Sequence, residues 1–286
     1  MTACALPSVG IVMVTRNRRE RALATLERLE RLPERPEIAL VDNASGDGTA
    51  PAVRARHPSV RVVELPANAG ASGRNAGVKA LDSELVALSD DDSWWAPGAL
   101  ATAAEVFAAR PTLGLLQGRI LVGEEKRLDP VCAEMKQSPL KRSPGLPGPA
   151  LLGFVACGAL VRRAAFLDAG GFNPRFGMGG EEKLLAFDLA LRGWELAYVD
   201  AVTAHHHPDR GERPTRRAET LRNELWTTWL RRRLPGAALA TTRLVAKALR
   251  ERHAPVLVEA LRGMPWVLAE RRPLTVPLDR AARRVY

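Results

Sequence analysis

The sequence predicts an α/β domain, a mainly parallel sheet flanked by helices, followed by a basic helical C-terminal extension. Three observations predict it. Strand-length apolar runs alternate with helix-length amphipathic segments through the first half of the chain. Those runs are continuous rather than alternating, as expected of parallel strands buried on both faces. Turn-rich and acidic segments follow directly on the runs, at the sheet edge where ligands bind in open α/β folds.

Val9 to Thr15 reads as a buried first strand, and Leu23, Leu26 and Leu29 give the next segment a helical face that Pro33 and Pro36 end. Ile38 to Val41 forms a second strand, closing on the turn-rich Asp42 to Thr49 and a helix through Arg56. Val60 to Leu65 is a third strand, with a glycine-rich passage from Asn68 to Gly77 leading into a helix that ends near Leu81. The fourth, Leu85 to Leu88, runs into Ser89-Asp90-Asp91-Asp92. A helix over Ala96 to Ala109, strands at Leu113 to Val122 and Phe154 to Val161, a helix from Glu181 to about Arg192 and extended segments Glu195 to Val199 and Val202 to Ala204 follow. Pro139 to Pro149, rich in Pro, Gly and Ser, reads as a mobile loop. Beyond Pro214 the pattern is helical and basic, with Leu221, Leu225, Trp229 and Leu230 on one face and Arg216, Arg217, Arg222 and Arg231 to Arg233 around them.

The 286 residues accommodate one large domain, residues 1–210, and an appendage, residues 211–286. The net charge of +10 belongs almost entirely to the appendage, since acids and bases nearly balance before Pro208. Cys4, Cys132 and Cys157 are widely spaced and odd in number, which points to a reducing compartment without a disulfide framework or zinc knuckle. No secretory signal is visible at the N-terminus, and the longest apolar run, Leu151 to Val161, is too short to span a bilayer. These features lead us to expect a cytoplasmic protein.

Three consecutive carboxylates at a strand end repel one another unless a cation or donors neutralise them. A hard divalent ion does so, being commonly held by one or two carboxylates plus substrate phosphates. The structural alternative is a solvated turn, with Asp92 or Ser93 capping the next helix and Pro97 in its first turn. Gly70 to Asn75 sets glycines and Arg74 before a helix N-terminus, which suits an anion or simply a tight turn. Asp42 ends the second strand at the same edge and can accept from a nucleobase or ribose, or cap its turn. Glu181 and Glu182 open a helix after Gly177 to Gly180; beside a cation one of them can serve as a general base, although acids at helix starts are also routine. His205-His206-His207 can direct one or two imidazoles inward, and Trp94, Trp95 and Trp194 can stack on a sugar or pack in the core.

In order and spacing these segments resemble the family 2 inverting nucleotide-sugar glycosyltransferases of GT-A fold, especially the rhamnosyltransferase-like members, over roughly Val9 to His205. The resemblance rests on Val12-Met13-Val14-Thr15-Arg16-Asn17, Val41-Asp42-Asn43-Ala44-Ser45, Asn68-x-Gly70 through Gly73-Arg74-Asn75-x-Gly77, and Ser89 to Asp92. Gly170-Gly171-Phe172, Gly179-Gly180-Glu181-Glu182, Arg192-Gly193-Trp194 and His205 complete it. It implies a divalent cation, Mn²⁺ or Mg²⁺, bound by Asp92, Asp90 and His205. It implies donor-nucleotide contacts from Thr15, Asn17, Asp42, Gly70, Arg74, Asn75, Asp90 and Asp91. It also implies a catalytic base at Glu182, with Glu181 the competing assignment, because Glu replaces the family's usual Asp and Leu184 stands where many relatives carry a further Asp. The reaction implied is transfer of a sugar from a nucleotide-diphosphate donor to the hydroxyl of an acceptor glycan, glycolipid or small molecule, with the Pro139 to Pro149 loop and the Gly177 to Gly180 turn closing over the site.

A sugar-nucleotide pyrophosphorylase would carry Gly-x-Gly-x-Arg after the first strand, where Thr15-Arg16-Asn17-Arg18 stands. A processive synthase would carry Gln-x-x-Arg-Trp, to which Arg222-Asn223-Glu224-Leu225-Trp226 is only superficially similar. No nucleic-acid reader motif accompanies the basic tail, so no nucleic-acid partner is expected. Its arginines, with Trp226, Trp229 and Trp266, fit peripheral contact with the inner face of a membrane, or solvation around helices that pack on the domain.

Overall fold

The computed structural model describes residues 5–208 and 214–286. Cys4, the expected domain boundary at 210 and the side chain of Arg216 lie outside the described residues. β1 (Val9–Thr15) is followed by α1 (Arg19–Glu30), which turns Ala22, Leu23, Leu26 and Leu29 to the sheet, then by β2 (Glu37–Asp42), α2 (Thr49–Arg56), β3 (Arg61–Glu64), α3 (Arg74–Ala80) and β4 (Leu85–Asp90). Then come β5 (Ser93–Trp95), α4 (Ala99–Ala109), β6 (Leu113–Val122), β7 (Arg127–Leu128), α5 (Pro130–Lys136), β8 (Ala159–Arg162), α6 (Arg163–Asp168), α7 (Glu181–Leu191) and β9 (Glu195–His206). The extension comprises α8 (Pro214–Arg231), α9 (Leu234–Arg250), α10 (Ala254–Arg262), α11 (Met264–Ala269) and α12 (Val276–Val285).

The strands lie in the order β3-β2-β1-β4-β8-β6-β9-β5, with β7 paired to β6. β1 is parallel to β2 and β4, β2 to β3, and β6 to β9, whereas β8 is antiparallel to both β4 and β6. Strands β1, β2, β3, β4, β6 and β9 therefore point the same way, and their carboxyl ends share one edge. One apolar layer joins the sheet to α1, α2 and α4 through Leu26, Val53, Leu100 and Phe107. A second covers the other face with Val78, Phe166, Leu185 and Leu189 from α3, α6 and α7.

Two local readings change in the structure. The acids do not cap a helix: Ser93 to Trp95 forms β5 and pairs antiparallel with β9, Ser93 opposite His206 and Trp94 opposite His205, and α4 begins only at Ala99. Phe154 to Gly158 is not strand, because buried Gln117 supplies the missing ladder, accepting from Val155 N–H at 2.7 Å and donating to Gly158 O at 2.9 Å. The strand is confined to Ala159–Arg162.

The extension is bound into the domain. Arg231 of α8 makes a two-pronged pair with Asp188 of α7, at 2.5 and 3.0 Å, and Arg232 meets Asp279 of α12 at 2.8 Å. Both pairs are almost fully enclosed, and losing one partner of such a pair costs ~3–5 kcal/mol. Leu274 and Ala282 share a core with Phe187 and Leu152.

The Pro139 to Pro149 loop is tied down, contrary to its composition, and it does not cover the strand carboxyl ends. Ser143 donates to Glu195 at 2.7 Å, Leu146 is buried, and Arg142 donates to Leu146 O at 2.8 Å. Ser143 meets Glu195 at the start of β9 and Pro149 O accepts from Tyr198 N–H at 2.9 Å, so the loop lies against the opposite end of β9 from His206. Arg110, which forks onto Glu195 at 2.7 and 2.8 Å, outweighs burial and, with Thr112 and Ser143, holds its carboxyl down to about 2. A depressed carboxyl contributes stability that is present above its ordinary range and lost as pH falls through the folded value. Glu195→Gln is expected to lose about 1–3 kcal/mol at pH 7 by urea denaturation. The gap between variant and wild type should narrow between about pH 4.5 and pH 2.

Candidate active site

The loop between β3 and α3 is fixed to the end of β2 by Asn43, a buried side chain that acts as a surrogate strand. Its Oδ1 accepts from Ala69 N–H at 2.7 Å and its Nδ2 donates to Gly70 O at 2.9 Å. Gly70 has φ +59°, and a Cβ there would lie 2.4 Å from Gly177 O. Only glycine fits this close approach. Asn75, expected at the nucleotide, is committed elsewhere: its amide donates to Phe172 O at 2.8 Å and accepts from Phe172 N–H at 2.9 Å, stapling α3 to the Gly170–Phe172 turn.

Arg74 is buried, with 3% of its surface exposed, and donates to Asp90. Burial acts to lower its pKa, but the charges of Asp90, Glu181 and Glu182 hold it above its ordinary value. The loop before α3, the acid motif and the start of α7 thus all bear on one enclosed guanidinium.

The three acids have separate partners. Asp90 faces Arg74. Asp91 is buried, accepts from Thr15 Oγ1 at 2.8 Å and from Arg18 Nη1 at 2.6 Å, and its main-chain carbonyl accepts from Thr25 at 2.7 Å. Burial pushes the Asp91 carboxyl up to about 6 against the pull of Thr15 and Arg18. Asp92 accepts from Arg18 at 3.2 Å and Arg21 at 3.4 Å and lies 3.5 Å from His206 Nε2. Burial works to raise Asp92, yet His206 and Arg18 hold it below the usual carboxylate range. Among the described residues, no three His, Cys, Asp or Glu side chains are grouped to hold a metal.

His205 does not join this group. Its ring stacks on Trp94, with centroids 5.5 Å apart, on the opposite face of β9 from His206. Trp94 is further occupied by His207 at 4.7 Å and by the Arg28 guanidinium at 3.8 Å, and Trp95 is core. His206 takes the place expected of His205. The irregularity between the Gly118–Val199 and Arg119–Thr203 pairs interrupts the alternation along β9.

Asp42 realises its turn-capping role, its buried carboxylate accepting from Ser45 N–H at 2.9 Å. Asn17, at φ +52°, bridges the same turn: its N–H donates to Ser45 Oγ at 2.9 Å and its Oδ1 accepts from Gly46 N–H at 2.7 Å. Thr15 is buried against Asp91. At α7, Gly177, Gly179 and Gly180 all have positive φ, Glu181 is buried and Glu182 half-buried. The structure therefore brings together Thr15, Gly70, Arg74, Asp90 to Asp92, Glu181 and Glu182, and turns Asn75 and His205 to packing. Arg18, His206 and Asn43 were not singled out from the sequence. For Arg18 a signal existed, a cation three residues after the first strand facing an acid-rich strand end.

The family model for glycosyl transferase family 2 matches residues 10–169. An N-acetylglucosaminyl-diphospho-decaprenol L-rhamnosyltransferase of Mycobacterium tuberculosis is 28% identical over 237 residues, covering 71% of this chain and 76% of that protein. The mannosyltransferase PcManGT from Pyrobaculum calidifontis, solved with GDP-Man and Mn²⁺, superposes with a TM-score of 0.60 at 21% identity over 98% of this chain and 76% of its own. Staphylococcus aureus TarS with UDP-GlcNAc gives 0.59 at 16% identity over 77% of this chain and 65% of its own. These two likenesses show the shared fold. The motif order and the match across more than half of the sequence lead to one conclusion: the chain belongs to glycosyl transferase family 2 and is a nucleotide-sugar glycosyltransferase.

Proposed function

We propose that this glycosyltransferase is metal-dependent and inverting, with Glu182 as the base. The observation that carries the reading is the convergence on Arg74 of Asp90, Glu181 and Glu182, which sets the base helix against the donor loop. Glu182 is the half-buried member of its pair and so the one an acceptor hydroxyl can reach, while Glu181 is enclosed. Glu182 takes the acceptor proton as that oxygen bonds to the anomeric carbon, from the side opposite the departing diphosphate. The bond to the diphosphate breaks with its electron pair, and the anomeric configuration inverts.

Asp92 and His206 suit a divalent cation: one carboxylate oxygen and one imidazole nitrogen 3.5 Å apart, leaving further positions for donor phosphates. When bound there, such an ion neutralises charge on the leaving diphosphate. Asp90 keeps Arg74 oriented, and Arg18, held between Asp91 and Asp92, adds positive charge beside the phosphates. Thr15, Asn17, Asp42 and Gly70 form the wall for the nucleoside end.

The acceptor proposed is a lipid-linked glycan, by analogy with the decaprenol-linked substrate in the name of the mycobacterial relative. Of the twelve large apolar side chains that stand exposed among the described residues, nine lie at or beyond Leu234. Leu239, Leu249, Val258, Leu261 and Leu268 project from α9 to α11, and from Leu234 onward ten Lys and Arg accompany four Asp and Glu. Apolar side chains among cations suit contact with an anionic bilayer surface. Among the described residues no helix is long and apolar enough to cross a membrane.

A thermal-shift panel of UDP-, dTDP- and GDP-sugars with and without Mn²⁺ tests the site. One nucleotide class is expected to raise Tm only with metal, the added stability being about 2.7 kcal/mol at a hundredfold excess over Kd. His205→Ala should keep the effect, and His206→Ala or Asp92→Ala should lose it; the reverse for the two histidines would return the metal to His205. With the donor so chosen, Glu182→Gln should lower turnover by about 10²–10⁴-fold without lowering Tm. Co-sedimentation with phosphatidylglycerol vesicles tests the lipid surface: binding should fall on Leu249→Glu with Leu261→Glu, and no binding by wild type rejects it.

A further inference from the structure

The turn that delivers α7 is gripped from both sides. On the sheet side Ala71 N–H donates to Gly177 O at 2.8 Å, and Gly70 is pressed against the same carbonyl. On the other side Asn223, in the third turn of α8 and wholly buried, donates from Nδ2 to Phe176 O at 2.8 Å and to Gly179 O at 2.7 Å. Arg222 adds a bond to Phe176 O at 3.0 Å. Gly179, at φ +90°, lies so close to α8 that a Cβ would stand 2.3 Å from Thr220 Oγ1. A primary amide offers two N–H donors from one nitrogen, and here they span two main-chain carbonyls three residues apart. Buried carbonyls require partners, and a segment with glycine at three of four positions has little stiffness of its own. The grip therefore supplies the stiffness that the glycines lack.

We infer that Asn223 is a positioning residue for sugar transfer: by joining Phe176 O and Gly179 O it fixes the glycine turn that seats Glu181 and Glu182 against Arg74 and the donor loop. The inference rests on the reading of Glu182 as base. It makes α8, and with it the helical extension, part of the catalytic apparatus rather than an appendage. The path is short and continuous, from Asn223 through Gly179 and Gly177 to Ala71 and then Arg74.

Asn223→Ala and the near-isosteric Asn223→Asp, which lacks the two donors, are compared with Leu221→Ala. Leu221 is a core residue of the same helix that packs towards α9 and α10, roughly on the opposite face from Asn223. Amide hydrogen exchange of the full chain is read over residues 69–73 and 176–182. Both Asn223 variants are expected to exchange at least about tenfold faster in both segments, and Leu221→Ala to lower Tm at least as much while leaving both segments protected. With the donor selected by thermal shift, kcat for nucleoside-diphosphate release in the presence of acceptor should fall by about 10–100-fold, with donor KM within about twofold. Unchanged exchange in the Asn223 variants, faster exchange with unchanged kcat, or equal losses in Leu221→Ala would each overturn the assignment. Glu182→Gln assayed in parallel separates the two readings. If it turns over while Asn223→Ala does not, the base is misassigned and the clamp stands; if Glu182→Gln is inactive and Asn223→Ala is normal, the clamp falls and the base stands.

Discussion

A buried guanidinium is tolerable only where carboxylates are brought to it, and much of the active-site geometry depends on how Arg74 meets that requirement. The carboxylates that bear on it come from two places in the chain: Asp90 at the end of β4, in direct contact, and Glu181 and Glu182 at the start of α7, through their charge. Moving the end of β4 away from the loop before α3 would leave this buried charge without its contact partner, a penalty of several kcal/mol. Gly70 at positive φ, Asn43 acting as a strand edge and Asn75 stapled to Phe172 all place the loop that carries this one side chain.

The same logic divides the acidic triad. Three adjacent carboxylates cannot share one environment, and the fold gives each its own: a buried arginine for Asp90, a hydroxyl and Arg18 for Asp91, an imidazole and two arginines for Asp92. Burial raises the Asp91 carboxyl to about 6, and its main-chain carbonyl is anchored by Thr25 of α1. It reads as the structural member that sets Asp90 and Asp92 on either side. Asp92 is thereby held in one orientation by His206, Arg18 and Arg21.

Much of this was legible in the sequence wherever a signal was local. Continuous apolar runs marked β1, β4 and β6, the acids marked the edge, and motif order marked the family. The misses share a cause, dependence on a distant partner. Ser93 to Trp95 is a strand only because β9 lies beside it. Phe154 to Gly158 carries strand-like apolar residues, but a glutamine side chain from β6 satisfies its backbone instead. Of three consecutive histidines the sequence cannot say which faces the acids, because an irregularity in the β6–β9 ladder resets the parity and a one-residue slip exchanges the faces. Composition marked the Pro139 to Pro149 loop as mobile, whereas Ser143 and Leu146 fasten it to the far end of the sheet.

The extension shows how a basic, helical tail that reads as separate is fastened to the domain it follows. Charge counted along the chain set it apart, yet the arginines nearest the domain are the ones that bind it there. Arg231 and Arg232 are enclosed with Asp188 and Asp279, and Arg222 reaches the Phe176 carbonyl. The excess positive charge is therefore of two kinds, an inner set that docks α8 and an outer set on α9 to α12, at the surface beside exposed leucines. Only the outer set is available to a partner. Because α8 packs on α9 and α10 and also holds the turn before α7, the outer helices and the Glu181–Glu182 pair belong to a single packed unit.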